Sequence, residues 1–515
     1  MTDTLAGPTT SAPESDTLKS DTLKSDNPHH ARRWLILVVL GLAQLMVALD
    51  ATVVNIALPT AQHDLGFSDG ARQWIVTAYA LAFGSLLLIG GRLSDLFGRK
   101  WTFLIGLIGF AVASAIGGAA ANFGMLVTAR AVQGAFAALL APAGLSLLTT
   151  TFTEAKERGK AFGIYGAIAG AGASLGLILG GFLTEFASWR WTMFVNLIFA
   201  GITLAGGFVL LHHSRDAVRP KLDVPGTVIV SAGLFALVYG FSHAESAGWG
   251  NGLTVAFLVA AAVLLTAFVV LQQRVAHPLL PLRILLDRNR GGAFIAMFAA
   301  AAGMFGIFLF LTYYLQLILG YSALRTGVAF LPMTGTLIVT ASVASAALAP
   351  KVSPRLMIPT GMIVAAGGMA MLTQIGLATS YASHVLPGTL LLGFGLGLVF
   401  APAFSIAVLG VRPEDSGVAS AAVNTMQQVG GSIGTALLNT LAATAAAGFV
   451  SSHIADLKTG GTTQALLQAG AQLHSFTVTF WVSAAIFAAG GVLVALILRP
   501  GVPDFDGADA AVHVA

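Results

Sequence analysis

The sequence predicts an all-α polytopic membrane protein with fourteen transmembrane helices, arranged as two six-helix halves plus two extra central helices. Of its 515 residues, 56% are hydrophobic and 9% are charged, whereas a soluble domain carries about 25% charged residues. Fourteen apolar stretches approach or exceed the length of about 20 residues that a helix needs to cross a bilayer. Short segments of the early spans also recur in the late ones, which indicates an internal duplication.

Composition also excludes several functions. The chain has no cysteine, so disulfides, thiolate metal sites and thiol catalysis are excluded. The net charge of +4 comes from basic residues in loops, so nucleic-acid binding is not expected. No phosphate-binding G-x-x-x-x-G-K-[ST] loop is present, which argues against a primary pump. The histidines show no metal-ligand spacing, and we predict neither a metal site nor a cofactor nor an enzyme.

The chain divides by composition into five segments. Residues 1–33 are polar and are predicted to form a disordered cytoplasmic tail. Residues 34–211 form the first half, 225–272 an inserted transmembrane hairpin, 292–498 the second half and 499–515 a cytoplasmic tail. The predicted spans are 34–58, 73–91, 101–121, 123–147, 161–183, 191–211, 225–244, 252–272, 292–318, 326–349, 356–377, 385–409, 417–445 and 475–498.

Lysine and arginine are distributed unequally between alternate loops. With the N-terminus inside, 21 of the 26 basic residues lie on the cytoplasmic side, four lie outside and one lies within a span. Cytoplasmic loops of membrane proteins are enriched in these residues. We therefore predict a multi-pass protein of the plasma (inner) membrane with both termini in the cytoplasm.

Two short repeats relate the halves. Ala141-Pro-Ala143 matches Ala401-Pro-Ala403, and Gly172-Ala-Ser-Leu-Gly176 matches Gly430-Gly-Ser-Ile-Gly434. Their separations, 260 and 258 residues, nearly agree and map spans 1–6 onto spans 9–14. Paired halves of this kind are typical of secondary transporters that hold their substrate near the bilayer midplane.

Span one contains a carboxylate, Asp50, in its second half. A charge at the bilayer centre costs at least ~2.5–3.5 kcal/mol, so an acid in a span indicates a function. Arg130 in span four lies at a similar depth: counting ~1.5 Å per residue places both roughly 10–12 Å below the outer surface. The two side chains could meet directly or share a water-filled cavity. A proton-coupling pair and a permanent structural ion pair both remain open.

The segment after span two reads Gly91-Arg-Leu-Ser-Asp-Leu-Phe-Gly-Arg-Lys100. Its glycines predict a tight cytoplasmic turn. The string resembles the G-x-L-a-D-r-x-G-r-k signature of the major facilitator superfamily, and this resemblance implies the major facilitator fold. In that family the segment latches the two halves together, which implies cytoplasmic gate roles for Gly91, Asp95, Gly98, Arg99 and Lys100.

Spans four and five carry two further signatures. Leu126-Val-Thr-Ala-Arg-Ala-Val-Gln-Gly134 is similar to the family's l-x-x-x-R-x-x-q-G motif, whose arginine is implicated in proton transfer. Gly172, Gly176 and Gly180 form one small-residue stripe that permits close helix packing. With Gly163 and Gly181 they follow the antiporter motif of drug exporters in this superfamily, although Leu177 replaces the motif's proline.

Three more stretches resemble the fourteen-span drug/proton antiporters, which are multidrug and antibiotic exporters of this superfamily. They are Leu49–Pro59, Ser188–Trp191 with Asn196, and Tyr314–Tyr321 with Pro332. The resemblance implies a proton-coupled secondary transporter that exports lipophilic drugs, dyes or antibiotics by alternating access. Its partners would be a small lipophilic substrate, protons and membrane lipid; its energy source would be the proton gradient; and a monomer is expected.

The substrate cavity is predicted from polar and aromatic residues inside the spans. Gln44 and Asn55 share one face of span one, and Asp50 is turned away from them. The candidate lining residues are Gln44, Asn55, Trp74, Tyr79, Gln133, Tyr313, Tyr314, Asn424 and Gln427. No acid lies inside spans seven to fourteen, which favours a lipophilic monovalent cation, a zwitterion or a neutral compound as substrate. Two alternatives stay open: a narrow exporter of one metabolite or self-made antibiotic, and a transporter-like sensor.

Overall fold

The computed structural model describes residues 32–67, 69–152, 154–211, 223–412, 415–458 and 463–502. The tails predicted over 1–33 and 499–515 lie almost wholly outside these residues. Within the described ranges the chain is helical and contains no β-strand.

Six helices form the first half. They are α1 (Arg33–Leu65), α2 (Asp69–Phe97), α3 (Arg99–Gly118), α4 (Phe123–Thr151), α5 (Ala155–Phe186) and α6 (Trp191–Leu210). Helix α1 packs against α5 and α6, while α2 and α3 pack against α4. Helix α1 therefore has neighbours on several sides, which can shield a polar side chain on it from both lipid and water.

The inserted hairpin consists of α7 (Val224–Ala247) and α8 (Gly252–Gln272), and a short helix α9 (Leu282–Leu286) follows it. Helix α7 packs against α2 of the first half, where the hydroxyls of Ser242 and Thr77 lie 3.0 Å apart. The turn of the hairpin reaches the second half, where the indole nitrogen of Trp249 donates to Thr440 Oγ1 at 2.9 Å. The hairpin thus touches both halves.

The second half begins with α10 (Arg288–Gly306), which continues through π-helical turns at Ile307–Leu311 and Tyr314–Ile318. It proceeds through α11 (Ala323–Ala329), α12 (Leu331–Val343), a π-helical turn at Ala344–Leu348, α13 (Pro354–Leu372), a π-helical turn at Tyr381–Val385, α14 (Leu386–Val408), α15 (Ser416–Lys458) and α16 (Gln464–Ile497). The last two helices extend well beyond the predicted spans 417–445 and 475–498. The additional residues, 446–458 and 464–474, include alanine and leucine, which favour helix, together with polar side chains that kept them out of the predicted spans.

The number of spans agrees with the prediction. Within the described residues, thirteen helices are long and apolar enough to cross a membrane, and α5 supplies a fourteenth when its two parts are counted together. Those parts, Glu157–Gly172 and Leu175–Phe186, are bent by 45° from one another. The prediction of an all-α membrane protein with fourteen transmembrane helices is confirmed on that count.

The repeated glycines occupy equivalent helix pairs. In the first half a Cβ at Gly172 would collide with Ala48 of α1, and one at Gly176 would lie 2.9 Å from the Leu49 carbonyl oxygen. In the second half a Cβ at Gly430 would lie 2.9 Å from the Cα atom of Phe298 on α10. Similarly, a Cβ at Gly434 would lie 2.5 Å from the carbonyl oxygen of Ala302, also on α10. Close packing of α5 on α1 is therefore repeated by α15 on α10.

The two halves differ at the centre of these contacts. The α1 segment that packs on the glycines contains Asp50, whereas the corresponding α10 segment between Phe298 and Ala302 contains the buried Ala300. The two halves therefore share this helix packing but not the acid.

The tight turn predicted over Gly91–Lys100 is wrong for most of its length. Helix α2 continues to Phe97 and α3 begins at Arg99, so only Gly98 lies outside a helix, with φ of 91°. Gly91 serves helix packing instead, because a Cβ there would lie 2.5 Å from the Gly417 carbonyl oxygen on α15.

Candidate functional site

Asp50 and Arg130 meet inside the first half. Arg130 Nη1 donates to Asp50 Oδ2 at 2.6 Å; the Asp50 side chain is 0% exposed and the Arg130 side chain is 1% exposed. Residue depth alone predicted that α1 and α4 bring these groups to one level. The packing of α4 beside α1 makes the contact a direct one, so the alternative of a shared water-filled cavity does not describe this structure.

Three neutral side chains complete a polar cluster around the acid. Gln133 Nε2 donates to Asp50 Oδ1 at 3.0 Å, and Asn196 Nδ2 donates to the same oxygen at 2.7 Å. Ser114 Oγ accepts from Gln133 Nε2 at 2.6 Å and lies 3.4 Å from Asn196 Nδ2. All three are buried. The cluster therefore joins α1, α3, α4 and α6.

Arg130 is held by further contacts. Its Nε donates to the Ile75 carbonyl oxygen at 3.3 Å, and its Nη1 also donates to Gln133 Oε1 at 3.0 Å. The guanidinium carbon lies 4.3 Å from the centroid of the Tyr79 ring, within the range of a cation–π interaction. The charge is thus fixed to α2 as well as to α1.

The arrangement suits an ionised carboxylate. Both oxygens of Asp50 accept from N–H donors, and one donor is a cation, which makes that hydrogen bond short and strong. A buried ion pair is stable only when its remaining groups are hydrogen-bonded, and removing one partner leaves an uncompensated charge. A change in the charge of Asp50 would therefore disturb four helices together.

The antiporter-motif glycines fix the part of α1 that carries the acid. A Cβ at Gly176 would collide with the Thr52 hydroxyl, and one at Gly180 would lie 2.8 Å from the Val53 carbonyl oxygen. These positions flank Asp50. Leu177, which stands where the family motif has proline, is buried in the same region. Helix α5 therefore contacts α1 directly at the acid.

Other glycines of α5 face the second half. A Cβ at Gly163 would lie 2.6 Å from that of Ser345, and one at Gly166 would lie 2.9 Å from the Cα atom of Ala401. A Cβ at Gly170 would likewise lie 2.9 Å from Leu337 Cδ1. Gly181 is buried. One helix thus links the acid-bearing segment to the opposite half.

Two of the predicted gate residues, Gly91 and Asp95, lie where α2 meets α15. Asp95 Oδ1 accepts from the Gly417 backbone N–H at 3.1 Å, which places a carboxylate at the N-terminus of α15, where the helix dipole favours it. The hydroxyls of Ser146 and Ser416 lie 2.8 Å apart beside this contact. These bonds join the two halves at one end of the molecule.

Several basic residues near this contact, including the predicted gate residues Arg99 and Lys100, hold neighbouring helices in place. Arg283 of α9 forms an ion pair with Asp415, immediately before α15. Arg99 is buried. Lys100 Nζ donates to the carbonyl oxygens of Leu211 and Phe208 and so caps the end of α6, the second of these bonds being 3.2 Å long. Arg355 does the same in the second half, with its Nε 2.8 Å from the Ala495 carbonyl oxygen.

The predicted cavity residues of the first half lie in different places. Tyr79 and Gln133 belong to the Asp50 cluster. Gln44 Oε1 accepts from the Tyr165 hydroxyl at 2.8 Å, and the Tyr165 ring lies 6.0 Å from that of Phe404 in the second half. Trp74 contacts Tyr239 of the inserted hairpin, with ring centroids 5.8 Å apart. The side chain of Asn55 lies outside the described part of the structure.

The predicted cavity residues of the second half are also dispersed. Tyr314 is buried and its hydroxyl bonds to the Gly376 carbonyl oxygen at 3.0 Å, whereas Tyr313 is exposed. Asn424 donates to Ser420 of its own helix at 2.9 Å, and Gln427 is half-buried on α15. A substrate role for each of these residues stays a prediction.

Several contributors to the site were not predicted from sequence. Ser114 and Tyr165 were missed, because a lone hydroxyl in an apolar span carries no signal of its partners. Asn196 was noted only as part of a family motif, although it is the one amide side chain in α6. Among the described residues, no group of three or more histidine, cysteine or acidic side chains could hold a metal ion.

Comparisons with known proteins agree with this architecture. A sequence model of the Major Facilitator Superfamily matches residues 40–435. A puromycin resistance protein from Streptomyces alboniger is 48% identical over 469 residues, covering 91% of this chain and 90% of the relative. A cephamycin export protein from Amycolatopsis lactamdurans is 37% identical over 429 residues, covering 81% and 87%. The crystal structure of a human organic anion transporter shares the fold with a TM-score of 0.61 at 15% identity, covering 90% of this chain and 99% of that one.

Proposed function

Because the chain belongs to the major facilitator superfamily, we propose that it couples proton entry to the export of antibiotic-like small molecules. The chain is a secondary transporter rather than an enzyme. The observation that carries the proton-coupling proposal is the ion pair of Asp50 and Arg130, which is buried inside the first half. An acid in a span at this depth is expensive to retain, and its titration supplies a natural coupling step.

Protonation of Asp50 would remove the counter-charge of Arg130 and weaken contacts that join α1, α3, α4 and α6. The change would reach α5 through the Thr52 and Val53 contacts with its glycines, and would pass to the second half through Gly163 and Gly166. The halves separate at the Asp95–Gly417 contact when the transporter opens to the cytoplasm. In this proposal α5 transmits the structural effect of Asp50 protonation from the first half to the second half.

The substrate is proposed to be an antibiotic. The relatives described above are named for puromycin resistance and cephamycin export, and the first is similar along nearly its whole length. Each of these two names mentions one compound, but names of relatives do not exclude further substrates, so a multidrug exporter and a narrow exporter are both tested. Puromycin is therefore the first compound to test, followed by a lipophilic cation dye. Since no acid lies in the spans of the second half, we expect a monovalent cation, a zwitterion or a neutral compound.

We further propose that the protein works as a monomer in the plasma (inner) membrane, surrounded by lipid and driven by the proton gradient without a cofactor. The excess of lysine and arginine in alternate loops supports cytoplasmic termini. The gate at Asp95 and Gly417 then lies on the cytoplasmic side.

The test uses purified protein in liposomes that are acidic inside. Uptake of puromycin and of a lipophilic cation dye is measured for the wild type and for Asp50→Asn, which keeps the size of the side chain but cannot ionise. We expect gradient-driven uptake by the wild type and none by Asp50→Asn. A Thr203→Val variant, which alters a buried hydroxyl elsewhere in α6, should transport normally.

The outcomes separate the competing functions. Equal uptake by wild type and Asp50→Asn would assign proton coupling to another group. Uptake of puromycin but not of the dye would favour a narrow exporter, and uptake of both would favour a multidrug exporter. Binding of either compound without uptake at any pH gradient would favour a sensor.

A further inference from the structure

The side chain of Asn196 has an unused buried acceptor. Its Nδ2 donates to Asp50 at 2.7 Å, yet its Oδ1 has no hydrogen-bond partner among the described residues, and the side chain is 1% exposed. Leaving a buried polar group without a hydrogen-bond partner is unfavourable. An unsatisfied atom beside the residue proposed to bind the proton calls for an explanation.

A neutral Asp50 would need an acceptor that its present neighbours do not offer. A protonated carboxyl group has one O–H donor. On Oδ2 this proton would face Arg130 Nη1, which is a cationic donor. On Oδ1 it would face the amide nitrogens of Gln133 and Asn196, which are donors too. The proton can therefore be accommodated only if one of these groups turns an acceptor toward it.

Gln133 is not free to turn. Its Oε1 accepts from Arg130 at 3.0 Å and its Nε2 donates to Ser114 at 2.6 Å. Rotating this amide by half a turn would direct its NH₂ group at the guanidinium. The Asn196 carbonyl oxygen has no such bond to lose. Since amide oxygen and nitrogen are nearly equal in size, rotating Asn196 by half a turn presents Oδ1 to Asp50 without moving the backbone.

We propose that Asn196 is a positioning residue that serves both protonation states of Asp50. Its amide donates to the carboxylate when Asp50 is ionised and, turned over, accepts the proton of the neutral acid. The inference rests on the proposed function in one respect, namely that Asp50 binds the proton. The Ser114 hydroxyl, 3.4 Å from Asn196 Nδ2, changes from accepting to donating when the amide turns.

The charged and titratable groups around Asp50 leave this role to Asn196. Arg130 faces the acid from α4, and the guanidinium carbon of Arg130 lies 4.3 Å from the centroid of the Tyr79 ring of α2. At this depth the described residues of α3, α5 and α6 present no charged side chain to Asp50, and of the two amide side chains that donate to Asp50 only Asn196 has a side-chain oxygen without a donor.

Infrared difference spectroscopy of the protein in liposomes tests the proposal. Spectra at low and high pH are subtracted, and the carbonyl stretch of the protonated Asp50 is identified by its absence in Asp50→Asn. We expect Asn196→Leu to move this band to higher wavenumber, because the acid loses its acceptor. Thr203→Val is the matched control, since Thr203 is a buried polar residue of the same helix that bonds to its own backbone at 2.7 Å; it should leave the band unchanged.

The results distinguish the proposed role of Asn196 from the proposed function of Asp50 as the proton site. A band that is lost in Asp50→Asn but is the same in Asn196→Leu and wild type would overturn the role of Asn196 and leave Asp50 as the proton site. A spectrum in which no carbonyl band is lost in Asp50→Asn would overturn the proposed function itself. If Asn196→Leu does not fold, Asn196→Ser takes its place, and its hydroxyl should give a band between those of the wild type and a variant without an acceptor.

Discussion

The contact between Gly91 and α15 gives a quantitative test of the gate. In Gly91→Ala the new Cβ would lie 2.5 Å from the Gly417 carbonyl oxygen and 2.7 Å from the Ala421 Cβ atom. Carbon atoms pack best at ~3.5–4.0 Å, so α2 and α15 must separate by roughly 1 Å. Backbone atoms form much of the obstacle, and rotation of a side chain cannot remove it.

This separation also reaches the Asp95 contact. Its hydrogen bond to the Gly417 N–H is 3.1 Å long, and 1 Å more would break it. Overpacking costs about 1–3 kcal/mol, and a typical hydrogen bond contributes about 0.5–1.5 kcal/mol. Even a combined effect of about 2 kcal/mol would shift the balance between closed and open arrangements roughly thirtyfold, since about 1.4 kcal/mol corresponds to a factor of ten.

The assay is a distance measurement between two nitroxide labels. The chain has no cysteine of its own, so cysteines introduced at Phe97 and Leu356, both exposed at the predicted cytoplasmic ends of their helices, carry the only labels. Gly91→Ala should move the distance distribution to longer values. Gly84→Ala is the matched control, because the new Cβ atom would lie 3.7 Å from the Cβ atom of Gln428 on α15, an ordinary contact distance. The same distribution in Gly91→Ala and wild type would refute the packing argument.

Three further predictions concern the Asp50–Arg130 ion pair, the glycines of α5 and the Arg283–Asp415 ion pair. Asp50→Ala should lower the free energy of unfolding in detergent by about 3–5 kcal/mol because it leaves Arg130 buried without a counter-charge, and adding Arg130→Ala should recover part of the loss; additive losses would contradict the pairing. Gly176→Ala should abolish transport in liposomes because of its collision with α1, whereas Gly201→Ala, with nothing within 4 Å of the new Cβ, should be active; activity in both would contradict the α5 mechanism. Arg283→Gln should lengthen the same label distance by freeing the start of α15, and an unchanged distance would mean that this ion pair does not hold the gate.

The sequence predicted the features that depend on helix geometry and composition. Span number followed from apolar length, and the depth of Asp50 and Arg130 followed from the helical rise. The packing role of Gly172, Gly176 and Gly180 followed from their spacing on one face. Each of these inferences needs only one helix at a time, or two helices of known direction.

The features that were missed depend on which faces meet. The placement of Gly91 in a turn was predicted incorrectly because glycine permits both a turn and close helix packing, and the local sequence does not distinguish the two; its gate role stays a prediction. Ser114 and Tyr165 gain their partners from α4, α6 and α1, whose rotation about their own axes is set by the whole bundle. The hydroxyl of Tyr314 bonds to the Gly376 carbonyl oxygen in a loop, a partner that the span sequence does not indicate, and its predicted place in the cavity stays a prediction.

The presence of an acid in α1 and of Ala300 at the matching place in α10 has an evolutionary consequence. The first half holds the residues proposed to couple transport to the proton gradient, and the second half has no acid at the matching place that would have to be retained. Laboratory selection for new substrates should therefore accumulate substitutions in α10–α14, while the residues around Asp50 stay unchanged. Exchanging second halves between related exporters would then transfer substrate preference and leave the driving force in place.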